Sequence, residues 1–147
     1  MKKILLQKSW VIKAPRQEVY TIMSDFKNMP KYFPKVAQSL RILKRDGNKL
    51  SIEAKAKSFG RVITAQMETQ LRPPLGYVSD NKSALGTCGH EEFLMEEVPE
   101  GTKINYSYDL ELKNPILRVL GGLLIGNYAL RFWEHAVIDK LKEMLEK

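Results

Sequence analysis

Cys88 and His90 stand two positions apart, and on a strand that spacing puts both side chains on one face. A thiolate beside an imidazole could act as a nucleophile with its base, or as half of a metal site. Zinc asks for about four N, S or O ligands, and the other histidine, His135, is distant in the chain. A nucleophilic cysteine also needs an orienting third group and an oxyanion hole, for which no pattern is visible. No catalytic residue, no metal ligand and no cofactor is therefore predicted. The plainer reading is an edge-of-strand thiol and imidazole, with His90 kept as a candidate polar contact for a ligand.

The remaining reactive groups are weighed in the same way. His135 and Asp139 are four apart in a helical stretch, which makes them surface neighbours and predicts a solvated contact rather than a general base. Glu68 and Asp109 could work as acid or base if they faced a dry cavity, but alternation along their strands sends both outward. Tyr106 and Tyr108 lie on the inward parity of a cleanly alternating strand, and buried phenols want partners. They are the first choice for orienting a polar group on a greasy ligand.

The elements that must position these groups follow from periodicity. Residues 4–13 read as a strand, Pro15 opens a helix carrying Val19, Tyr20, Ile22 and Met23, and Phe26 to Tyr32 gives a second short helical piece between prolines. From Val36 the period becomes two. Strands are predicted at Val36–Lys44, Leu50–Lys57, Ile63–Leu71, Tyr77–Leu85, His90–Val98 and Ile104–Leu112, separated by Asp46-Gly47-Asn48, Phe59-Gly60-Arg61, Pro73-Pro74 and Pro99-Glu100-Gly101. The strand from Tyr77 is poor in large apolar groups. The parity of the next one is ambiguous, because Phe93 and Leu94 compete for the inward position. After Asn114-Pro115 the spacing of Leu130, Trp133, Val137, Leu141 and Met144 predicts a long amphipathic helix from Gly126, or slightly earlier, to near the end.

The totals set bounds. At 147 residues the chain is one domain's worth, 1–147, with 44% hydrophobic and 28% charged residues, an ordinary globular composition. A single cysteine allows no internal disulfide. The opening Met1-Lys2-Lys3-Ile4-Leu5-Leu6 begins like a secretion signal, but Gln7-Lys8-Ser9 ends its apolar run, so the expected location is the cytoplasm. The net charge of +7 is spread over lysines and arginines such as Lys27, Lys31, Lys35, Arg41, Lys44 and Arg45, without a run of five like charges. General solubility explains that spacing, and no specific nucleic-acid partner is expected.

One segment carries a family resemblance. Ile12, Ala14-Pro15, Val19-Tyr20, Asp25, Pro30, Tyr32-Phe33-Pro34 and the closing helix Leu130–Glu146 resemble the START/Bet v1-like (SRPBCC, helix-grip) superfamily, and within it the polyketide cyclase/dehydrase and coenzyme-Q-binding branch. The resemblance implies an α+β fold: a curved antiparallel sheet of about seven strands around a long C-terminal helix, with two short helices after the first strand. A twisted sheet gripping one helix rarely closes at both ends, so a cavity between them is expected.

The expected function is binding or transport of an apolar small molecule: a lipid, a polyisoprenoid quinone or an aromatic polyketide. A polyketide cyclase or dehydratase and a ribosome- or RNA-associated module are the alternatives. Ile52, Ala54, Ile63, Ala65, Met67 and Phe93 are expected to line the cavity from the first strands. Tyr106, Tyr108 and Leu110 join them from the last strand, and Leu130, Trp133 and Val137 from the helix. The glycine-rich apolar stretch Leu120 to Gly126 is read either as a lip that touches a membrane or as a tightly packed turn.

Overall fold

The computed structural model describes residues 2–58, 60–84, 86–112 and 122–146. Strand β1 (Lys2–Ile12) is followed by helix α1 (Arg16–Met23), a single 3-10 turn (Phe26–Asn28) and the one-turn helix α2 (Met29–Tyr32). Six strands follow: β2 (Ser39–Asp46), β3 (Lys49–Ser58), β4 (Arg61–Arg72), β5 (Gly76–Ser83), β6 (Thr87–Val98) and β7 (Gly101–Leu112). Helix α3 closes the chain as Gly122–Trp133, a widened π turn at Glu134–Ile138, and Asp139–Leu145.

The seven strands form one antiparallel curved sheet in the order β1-β7-β6-β5-β4-β3-β2. Every neighbour pair except β1 with β7 is a hairpin, as short turns dictate. Asp46-Gly47 makes the first of these turns because Gly47 takes a φ of 62°, a conformation that side-chain-bearing residues resist. The strand starts differ from expectation by three residues at β2, β6 and β7, the last beginning at Gly101 opposite Val98. The chain at Val36 and Ala37 turns back onto the Phe33 carbonyl, which buries Phe33 and delays β2 until Ser39. Strand β6 begins at Thr87 because its ladder with β7 continues to Leu112.

Strand alternation sends one residue set under α3, and the size of those residues sorts the sheet into two halves. At one end Ile12, Phe93 and Ile104 are fully buried together with Val19, Phe33, Ile138 and Leu141. Each such side chain contributes roughly 1.5–3 kcal/mol on burial, so this end carries most of the fold's apolar stabilisation. At the other end Ala54, Ala56, Ile63, Ala65, Met67 and Leu110 remain only partly buried. Between Glu134 and Ile138 the helix accommodates one surplus residue, and Ala136, Val137 and Ile138 are all buried in succession. No helix among the described residues is long and apolar enough to cross a membrane.

Candidate functional site

The junction between the packed and the half-open ends is polar. Phe93 faces inward, fully buried, so Glu91, two residues earlier on β6, faces inward as well and is only 7% exposed. The Tyr106 hydroxyl donates to Glu91 Oε2 at 2.5 Å, and the Tyr77 hydroxyl bonds to the same carboxylate. Next to them Asn81 Nδ2 donates to the Tyr108 hydroxyl at 3.5 Å, and Ser79 Oγ donates to Asn81 Oδ1 at 2.6 Å. Thr69 and Ser79 share a further hydrogen bond at 2.9 Å. The result is a polar strip across β4, β5, β6 and β7 in an otherwise apolar interior.

Its geometry depends on a glycine. A Cβ at Gly89 would stand 2.5 Å from Tyr108 Cε1 and 2.5 Å from the Asp109 carbonyl oxygen. The missing side chain lets the Tyr108 ring lie across β6 and reach Asn81 on β5, whose register partner is Gly89. An aromatic wall flanks the strip on the packed side. Trp133 of α3 stacks on Tyr106 at 4.1 Å between ring centroids, and Tyr77 stacks on Phe93 at 5.5 Å.

Burial is the dominant electrostatic influence here. It pushes the Glu91 carboxyl up, against the two phenol hydrogen bonds and the nearby His90, which favour the anion. Burial first and the Glu91 charge second raise Tyr77 and Tyr106 well above the ordinary phenol range and push Tyr108 up to about 12. The strip therefore holds neutral phenols around one carboxyl whose protonated form is favoured by burial. Such a set can give or accept hydrogen bonds to a polar group arriving from the half-open end, and the carboxyl can exchange a proton.

Helix α3 is tied across this face by a second polar contact. Glu134 Oε1 accepts from Lys8 Nζ at 2.6 Å and from Trp10 Nε1 at 2.5 Å, with Lys8 and Trp10 on the inward parity of β1. The Lys8 and Trp10 hydrogen bonds hold the Glu134 carboxyl below the usual carboxylate range.

The residues expected to meet a ligand fall in three groups. Ile52, Phe93, Tyr106 and Val137 are buried, and the first three sit on the inner face of the sheet at the packed end or the junction. Ala54, Ile63, Ala65, Met67, Tyr108 and Leu110 are partly buried on the same face, and Leu130 and Trp133 cover it from α3. His90 is elsewhere. It lies on the outer face, where its Nδ1 is 2.8 Å from Asp80 and its Nε2 is 3.5 Å from Glu92. Cys88 shares that face, with Glu111 at 3.7 Å. Parity is the reason: with Phe93 and Glu91 inward, Cys88 and His90 must point away. Asp109 and Glu68 also face outward, and His135 meets Asp139 at 2.8 Å on the helix surface.

Glu91 is hidden in the sequence among Glu92, Glu96 and Glu97, which together have the composition of surface charge. The signal for it was Phe93, since fixing that residue inward fixes Glu91 too. Ser79 and Asn81 were hidden in a strand that looked weak, and the weakness was itself the polar lining. Of Leu120 to Gly126, residues 120 and 121 lie outside the described residues, and the backbone is helical from Gly122. Phe59 also lies outside them. A groove of about 470 Å³ runs along β1, β7 and β6, lined by outward residues such as Gln7, Glu92 and Leu94 and also by Lys8 and Tyr106.

With the geometry in place, comparison with known proteins settles the family. A description of polyketide cyclase/dehydrase and lipid transport proteins matches residues 3–146. The chain belongs to that family. Among solved structures, a START superfamily protein from Mycobacterium smegmatis aligns with a TM-score of 0.80 at 18% identity, over 97% of each chain. The di-domain ARO/CYC protein StfQ from the steffimycin biosynthetic pathway aligns with a TM-score of 0.81 at 16% identity. It is matched over 98% of this chain and 51% of its own length, so the family domain here spans about half of that protein. A conserved protein from Geobacillus kaustophilus aligns with a TM-score of 0.75 at 15% identity, covering 96% of this chain and 94% of that one. At such identities the likeness fixes the polyketide cyclase/lipid transport fold, a START/Bet v1-like helix grip, and leaves its chemistry to the residues. No curated protein matches the sequence significantly.

Proposed function

We propose that the protein binds an apolar small molecule, a lipid, a polyisoprenoid quinone or an aromatic polyketide, between α3 and the half-open end of the sheet. The polar end of the guest rests against Tyr108, Asn81 and Glu91. One observation carries the reading. Ala54, Ala56 and Ala65 stand on the inner face of the sheet in register with Ile63 and Met67, their side chains are small, and all three stay partly accessible. A guest that occupies this space stabilises the folded state, by about 2.7 kcal/mol at a hundred times its dissociation constant. Melting curves with a panel of lipids, quinones and polyketides test it. At least one class is expected to raise the melting temperature, and Ala65→Phe is expected to keep the fold and abolish that rise. If no class has an effect on the wild type, the reading fails.

A second reading, cyclisation or dehydration of a polyketide, is favoured by Glu91. Its carboxyl, raised by burial and held beside two phenol hydroxyls, suits a general acid or base. It predicts that Glu91→Gln removes turnover while the ligand-induced rise in melting temperature persists.

A further inference from the structure

The chain's positive charge is spread along the sequence but gathered by the fold. Residues 26–57 hold nine lysines and arginines against two acids, Asp46 and Glu53, while the rest of the chain carries fifteen of each sign. The whole net charge of +7 thus resides in this segment. In the fold it becomes one margin of the molecule. Strand β2 is an edge strand paired only with β3, and the 3-10 turn and α2 pack beside it. Lys27, Lys31 and Lys35 come from that helical segment and its exit, Arg41, Lys44 and Arg45 from β2, and Lys49 and Lys55 from β3; all eight are exposed.

Among the described residues none of these eight cations is in an ion pair. The contrast with other cations is direct: Lys8 meets Glu134, Arg16 meets Glu97, Lys103 meets Glu96 and Lys140 meets Glu143. In the β2–β3 register Arg41 stands opposite Glu53 and Lys49 opposite Asp46, while Lys44, Arg45 and Lys55 face no acid. These surplus cations, on strands about 5 Å apart, are within reach of one another at physiological salt, where the Debye length is about 8 Å. They repel one another and are relieved by an extended anionic partner.

The margin also has an apolar point. The β2–β3 register shifts between Ile42 and Lys44, leaving Leu43 as the extra residue of a bulge, and Leu43 is 50% exposed. The bulge places Lys44 opposite Ser51 on the outer face, where an unbroken ladder would have turned it toward the core. Among the described residues the large aromatics that stand exposed, Tyr128 and Phe132, are on α3 and not in this patch. Cations around an aliphatic side chain, without a stacking platform for bases, suit a phospholipid surface better than a single-stranded nucleic acid.

We propose that the β2 margin, centred on Arg41, Leu43 and Lys44 and flanked by Lys31, docks the protein onto an anionic bilayer. The docking needs no guest under α3, so it stands or falls apart from the ligand-binding reading. The test is co-sedimentation of the full chain with phosphatidylcholine vesicles, with and without phosphatidylglycerol, at low and high salt. Binding is expected only to the anionic vesicles and is expected to disappear at high salt. The triple variant Lys31→Glu/Arg41→Glu/Lys44→Glu should bind at least about a hundredfold more weakly, at roughly fivefold for each cation near the surface. Leu43→Ser should weaken vesicle binding several-fold at low salt without altering the melting temperature. Should the triple variant fold poorly, Lys31→Gln/Arg41→Gln/Lys44→Gln replaces it, with a loss of about a hundredfold expected. Equal binding to neutral vesicles, no binding to anionic ones, undiminished binding by the reversed variant, or a preference for RNA at equal phosphate concentration would each overturn the proposal.

Discussion

The same seven strands build two unlike regions. Where Phe93, Ile104 and Ile12 meet Ile138 and Leu141, every side chain is sealed from solvent. A few residues further along, the inner face carries Ala54, Ala65, Ile63 and Leu110, and sealing is incomplete. Backbone pairing does not differ between the ends, since the ladders of β3 with β4 and β6 with β7 run unbroken through both. Residue volume makes the difference. Stability is concentrated where the inward residues are large, and room for a guest is left where they are small, with Glu91 and its tyrosines on the border.

Four substitutions sharpen or break that contrast. The largest effect is expected from Phe93→Ala at the packed end, about 3–5 kcal/mol of stability, against less than about 2 kcal/mol for Ile63→Ala at the other. Urea denaturation of the two variants checks it, and equal losses would erase the distinction. Next comes Gly89→Ala on the border, which forces a methyl group against the Tyr108 ring and the Asp109 carbonyl. A loss of about 1–3 kcal/mol is expected, together with a changed near-ultraviolet tyrosine signal. An unchanged signal would mean that Tyr108 does not lie across β6.

The smallest effect is a pH dependence. Because Glu91 holds its proton more tightly when folded, the folded state binds more protons than the unfolded one above the ordinary carboxylate pKa. Stability is therefore lost as pH rises from there through the folded-state value. Glu91→Gln removes this slope, so its stability relative to wild type should improve as pH rises from the ordinary carboxylate pKa through the raised folded-state value. Parallel curves for the two proteins would place Glu91 in contact with water.

Much of the architecture was legible because alternation in β3, β4 and β7 and the spacing of Leu130, Trp133, Val137 and Leu141 report burial directly. The Ala14-Pro15 and Pro30–Pro34 segments carried the family likeness on top of that. The polar strip was not legible, since Glu91, Ser79 and Asn81 have the composition of a solvated surface and are inward only by register with Phe93 and Tyr77. His90 was the opposite case. Its chemistry drew attention, while its parity, set by Phe93 rather than by anything local, put it outside.

The widened turn at Glu134 acts as a phase reset within α3. One additional residue in a helix advances everything upstream by about 100°. That offset is what aims Trp133 at the Tyr106 ring while Leu141, eight residues later, still faces the core. A one-residue deletion inside 134–138 would swing Trp133 off the sheet and leave Leu141 where it is, so the two halves of the rod can drift in sequence as separately indexed pieces.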